Sequence, residues 1–153
     1  MTTATSELTE VLNDLVKINN DRITGYEKAA DESRDIDIDL HKIFNSMADE
    51  SRKYVAELTN HINRMGGESE GGSTAMGKLY RAWMDVKATF TGKDRVAILA
   101  SCEFGEDAAQ KAYRDALASD ADIDTETRQL ITNQQASLKK SHDLIKKYRD
   151  ANK

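Results

Sequence analysis

Apolar residues recur along this chain with the 3.6-residue period of an amphipathic helix, in four separate stretches. Leu8, Val11, Leu12, Leu15, Ile18, Tyr26, Ala29 and Ala30 form the first stripe and predict a helix over about residues 6–32. Thr5 or Ser6 is its expected cap, with Glu7 and Glu10 in the first turns, where the helix dipole favours acids. Asp31 to Asp37 is charged and aperiodic and reads as a short connection. Leu40, Ile43, Phe44, Met47, Ser51, Tyr54, Val55, Leu58, Ile62 and Met65 predict a second helix over about 37–65, stopped by Gly66-Gly67. A third helix runs from near Lys93 to about Ser119, and Asp120 to Asp124 forms a turn in which Asp124 can cap. The fourth carries Ile123, Leu130, Ile131, Gln134, Leu138, Ser141, Ile145 and Tyr148, with basic last turns.

The connection between the second and third helices is long. It spans Gly66 to Thr91, with Gly71-Gly72-Ser73 inside it and a candidate short helix carrying Leu79, Trp83, Val86 and Phe90. Antiparallel neighbours need only a short loop, so this length predicts a crossover between parallel helices. The expected fold is all-α, a single four-helix-bundle domain over residues 1–153 with a long crossover between helices 2 and 3. Trp83 and Phe90 carry too much apolar area to stay exposed, so they cover the bundle side or make a homodimer contact.

The centres of the four stripes are not apolar. On the third helix Leu99, Cys102, Glu106, Ala109, Tyr113 and Leu117 fall within roughly 80° of one another, which puts Glu106 on the buried face. A Glu there must be paired, protonated or bound to metal. Asn19, Ser51 and Gln134 interrupt the other three stripes at mid-helix. Four coincident interruptions predict one polar layer of Asn19, Ser51, Glu106 and Gln134, with Arg22, Tyr26, Tyr54 and Tyr113 around it. Such a layer is either a hydrogen-bonded network that fixes helix register or a metal-binding layer.

Composition narrows the classes. The 153 residues contain no Pro, which favours long unbroken helices. A net charge of −5 with both signs interspersed points away from nucleic acid and from anionic membranes. The single Cys102 excludes an intramolecular disulfide and a Cys-rich zinc site, and on an inner stripe it reads as a small buried hydrophobe. No apolar segment suggests a signal peptide or a membrane span, so the expected location is cytoplasmic. His41, His61 and His142 fall on helix edges and are expected to face solvent, with His142 able to approach an exposed metal. No Gly-rich loop has phosphate-binding spacing, and no Ser-His-Asp order suggests a hydrolase.

Asn19-Asn20-Asp21 with Gly25-Tyr26-Glu27-Lys28-Ala29-Ala30, the Gly66-Gly67 to Gly77 crossover with Tyr80-Arg81-Ala82-Trp83, and Cys102-Glu103-Phe104-Gly105-Glu106-Asp107 with Tyr113 carry a resemblance. The chain resembles the ferritin-like superfamily, and more closely a group of small bacterial four-helix-bundle proteins formed by a domain of unknown function. In catalytic members such as rubrerythrins and bacterioferritins, two irons sit mid-bundle, held by one Glu from each of two helices and a Glu-x-x-His pair from each of the other two. Matched onto this chain, the resemblance places Asn19, Ser51 with Tyr54, Glu106, and Gln134 with Ser137 at those positions. Only Glu106 keeps the ligand type. A shifted match offers Glu27, Glu50, Glu103 and His142, and the spacing of Glu103 to Glu106 is one that rubrerythrin-like third helices also use. The Glu-x-x-His motif is absent: Lys53 follows Glu50 by three, and Leu58 precedes His61 by three.

Three expectations follow. The first is a non-enzymatic bundle whose degenerate di-iron site has become a hydrogen-bonded layer of Asn19, Arg22, Ser51, Tyr54, Glu106 and Gln134, with no cofactor and with a protein partner at its surface. A stress association is what the resemblance implies for it. The second is an iron- or manganese-binding bundle using Glu106 with Glu103, Glu27, Glu50 or His142. The third is a small-molecule pocket in the bundle core beside Glu106.

Overall fold

The computed structural model describes residues 3–68 and 95–151. They form four helices: α1 (Thr3–Ser33), α2 (Ile38–Arg64), α3 (Arg95–Leu117) and α4 (Thr125–Ala151). Thr5 and Ser6 lie inside α1 rather than capping it, and Ile123 precedes α4. The candidate crossover helix, with Trp83 and Phe90, lies outside the described residues.

Local chemistry sets the helix ends. Asp37 caps α2 from an extended backbone, its carboxylate accepting from the N–H groups of Asp39 (3.1 Å) and Leu40 (3.2 Å). Asp124 does the same for α4, accepting from Thr127 N at 3.4 Å. At the far end of α2, Gly66 adopts φ +83°, the left-handed conformation that stops a helix at little steric cost. Gly67 answers a different need. A Cβ there would fall 2.6 Å from Thr9 Oγ1, so the chain leaves α2 pressed against α1. Asn13 holds it there by donating to the Glu68 carbonyl at 2.9 Å.

Packing gives the directions. One apolar cluster joins Leu8, Leu12 and Leu15 of α1 to Leu58 and Ile62 of α2, Ala109 and Tyr113 of α3, and Ile131 and Leu138 of α4. A second joins Tyr26, Ala29 and Ala30 to Leu40, Phe44 and Ala48, to Ile98, Leu99 and Cys102, and to Ile145. The N-terminal half of α1 thus meets the C-terminal halves of α2 and α3 and the N-terminal half of α4. Helices α2 and α3 run parallel, as the long connection predicts, so the end of α2 and the start of α3 lie at opposite ends of the bundle. α1 packs closely against both α2 and α3, and α3 against α4, whereas the α2 and α4 backbones stay further apart and meet mainly through side chains.

The two clusters do not merge. Asn19 and Arg22 on α1, Glu50 and Ser51 on α2, Glu106 on α3 and Ser141 on α4 each fall between the first and second cluster of their helix. A polar layer therefore divides the core.

Candidate functional site

Arg22 is the centre of that layer. Asn19, Arg22 and Tyr26 follow one another at i, i+3 and i+7, so α1 turns all three inward. The Arg22 guanidinium is buried, and all five of its N–H donors have acceptors. Nε donates to Glu106 Oε1 of α3. Nη1 donates to Ser51 Oγ at 2.8 Å and to the Met47 carbonyl at 3.0 Å. Nη2 meets Glu50 Oε1 at 2.9 Å and Met47 Sδ at 3.5 Å. The Tyr26 ring lies 5.0 Å beneath the guanidinium carbon, within cation–π range, and its hydroxyl donates to Glu106 Oε1 at 2.9 Å.

From Arg22 the hydrogen bonds run onward in one direction. Ser51 Oγ donates to Asn19 Oδ1 at 2.9 Å. Asn19 Nδ2 donates to the Tyr113 hydroxyl and to the Leu15 carbonyl, both at 2.8 Å. Tyr113 donates to Gln134 Oε1 at 2.6 Å, and Gln134 Nε2 donates to Glu57 Oε1 at 3.1 Å. The chain starts on a cation and ends on a carboxylate, so each bond polarises the next in the same sense. It touches all four helices. Tyr54 joins the layer through its carbonyl, 3.5 Å from Gln134 Nε2, and through its hydroxyl, which interacts with Ser137 and Glu50. Ser141 of α4 closes the other side by donating to Glu50 at 2.9 Å.

The burial has an electrostatic cost, and the carboxylate bears it. Burial pushes the Glu106 carboxyl above its usual value, and Arg22 and Tyr26 recover only part of that. Burial also works against the charge on Arg22, but Glu106, Tyr26 and Glu50 more than offset it, so the guanidinium stays charged. Burial holds the Tyr26 and Tyr113 hydroxyls neutral and pushes the Cys102 thiol up, with Glu106 adding to the Cys102 shift. Cys102 is thus inert as a nucleophile. Glu106 Oε2 is buried and takes no hydrogen bond from the described residues.

The shifted candidates do not converge on one centre. Glu106 and Glu50 flank Arg22, with its guanidinium between them. Glu27 is exposed and pairs with Arg52 at 3.3 Å. Glu103 and His142 lie at the α3–α4 seam instead. There Glu103 pairs with Arg149, and His142 Nε2 lies 2.5 Å from Asp107 Oδ1. Ligand atoms of Glu103, Asp107 and His142 come within 4.8 Å of one another. Asp107 escapes a reading of stripes because it is an exposed residue. The available signal is its spacing of four from Glu103, which puts both carboxylates on one side of α3.

His61 is also placed differently from expectation. It is buried, with Nε2 2.6 Å from Thr127 Oγ1, which itself donates to Asp124 at 2.5 Å. His61 lines a groove of about 820 Å³ between α2 and α4, together with Glu57, Asn60, Arg64, Glu126 and Asn133. The groove lies where the α2 and α4 backbones stay apart and side chains bridge them. It meets the polar layer at Glu57, not at Glu106, so it is not the core pocket beside Glu106 that the third expectation describes.

Comparison with known proteins agrees with the architecture. Residues 7–119 match the family described as "Domain of unknown function (DUF2383)". No curated protein matches the sequence. Among solved structures, a mutant of Dps1 from Mycobacterium smegmatis superposes with a TM-score of 0.80 at 16% identity, covering 97% of this chain and 99% of that one. At that identity the likeness shows the fold, a ferritin-like four-helix bundle. No described helix is long and apolar enough to cross a membrane.

Proposed function

This chain belongs to the DUF2383 family, and we propose that it is a non-enzymatic ferritin-like bundle in which Arg22 takes the place of a mid-bundle metal pair. One observation carries the reading. The two carboxylates closest to a ligand arrangement, Glu106 and Glu50, both face the Arg22 guanidinium, whose five donors are all taken. A divalent metal needs several converging N and O ligands. What surrounds Glu106 here is a fixed cation, a phenol that donates to it, and a high-pKa thiol. These residues do not fit a metal pair.

The layer then has a structural role. A buried ion pair of this kind rarely adds net stability over apolar packing, but it can fix which helix faces meet. Function moves to the outer surface, where a protein partner docks. A stress-associated role fits the family resemblance.

Elemental analysis tests the proposal, on wild type and Glu106→Gln incubated anaerobically with ferrous iron. The two proteins are expected to carry the same iron. One or two irons per chain lost in Glu106→Gln would overturn it.

A further inference from the structure

The α3–α4 seam holds a different set of groups, and it has no buried guanidinium at its centre. Glu103 and Asp107 are one turn apart on α3, and His142 reaches them from α4. The histidine carries the argument. Its Nε2 lies 2.5 Å from Asp107 Oδ1, and its Nδ1 lies 3.1 Å from Asp143 Oδ1. Both ring nitrogens therefore face carboxylate oxygens, which can only accept. A neutral imidazole carries one N–H and leaves a lone pair aimed at a lone pair. A second proton on the ring satisfies this pairing, and a metal ion taking the place of that proton on the Nε2 side would do the same. Asp143 is in turn held by Lys139 at 3.2 Å. A carboxylate on the far nitrogen of a histidine is the arrangement that orients metal-bound imidazoles and makes them more basic.

We propose that Glu103, Asp107 and His142 form a site for one zinc-like divalent cation that ties α3 to α4. Two carboxylates and one imidazole balance a 2+ charge and suit a borderline metal, with solvent completing the tetrahedron. Zinc ligands lie about 3.3 Å apart when the bonds are close to 2.05 Å, so His142 and Asp107 part slightly from their 2.5 Å contact while Glu103, within 4.8 Å of them, adjusts its rotamer at a half-open seam. Arg149 is the built-in competitor. It pairs with Glu103 and must swing aside, toward Asp150, with which it already bonds at 3.0 Å. The site shares no residue with the Arg22 layer.

The test is calorimetric titration of the chelator-treated full chain with Zn²⁺. One ion per chain is expected at micromolar affinity or tighter. His142→Ala and Asp107→Asn are expected to weaken it at least about a hundredfold, and Asp143→Asn about tenfold. Arg149→Gln is expected to strengthen it severalfold, while Glu106→Gln leaves it unchanged. Absence of stoichiometric binding, or binding indifferent to His142→Ala in a variant with native circular dichroism, would overturn the site. Zinc lost in Glu106→Gln but kept in His142→Ala would overturn it as well, and would also contradict the Arg22 reading.

Discussion

The bundle contains two gatherings of charge that differ in one respect. At the core, Arg22 brings its own cation to Glu106 and Glu50, and every donor on it is used. At the α3–α4 seam, a partly exposed Arg149 pairs with Glu103 alone of the three, and the imidazole faces acceptors on both sides. The core site is closed and self-neutralised. The seam is half-open, and its positive charge is a ring proton or Arg149, both of which an ion can displace. Carboxylates alone therefore do not mark a metal centre; what matters is whether a side chain has already supplied the positive charge.

The contrast can be broken at its strongest point first. Arg22→Ala strands Glu106 and removes the origin of the hydrogen-bond chain, and is expected to cost about 3–5 kcal/mol in urea unfolding. A loss below about 1 kcal/mol would mean that the layer is not held by Arg22. Tyr113→Phe removes one of the two acceptors of Asn19 Nδ2 and the donor to Gln134 Oε1, and should cost about 1–3 kcal/mol. Helix capping supplies a smaller effect with a defined pH dependence. The N–H of Leu40, with smaller contributions from Arg95 and the N–H of Asp39, holds the Asp37 carboxyl below 3.8 against the opposing effect of burial. A carboxyl depressed in the folded state stabilises above its unfolded value of 3.8 and loses that contribution as pH falls through the lower folded value. Asp37→Ala should cost about 1 kcal/mol at pH 7 and progressively less below pH 3.8. His142→Ala is expected to change apo stability by no more than about 1 kcal/mol, since its partners are exposed. A larger loss would move the seam into the structural class.

The fold was legible because nothing in the chain competes with the helical period. There is no Pro, the apolar stripes are regular, and Gly66-Gly67 stops α2 where the pattern ends. The interrupted stripes were legible for the same reason: Asn19, Ser51, Glu106 and Gln134 sit among apolar neighbours at the right angle. Arg22 reads from the sequence as a polar partner beside Asn19 on the inward face, within reach of Glu106. Its contacts with Met47, Glu50 and Ser51 were not legible, because a long side chain carries the charge several ångströms beyond its Cα, onto α2. Glu27 shows the opposite error. It is one residue past buried Tyr26, about 100° around the helix, and it faces solvent. His61 and Asp107 were illegible because their partners, Thr127 and His142, lie 66 and 35 residues away, beyond any local spacing rule.

The central claim is that Arg22, not a metal, neutralises Glu106. A double-mutant cycle with Arg22→Met and Glu106→Gln, measured by urea unfolding in the presence of chelator, tests it most directly. The account predicts a coupling of about 2–3 kcal/mol, with the double variant recovering much of what either single substitution loses. A coupling near zero, with Glu106→Gln costing nothing until metal is added, would contradict it.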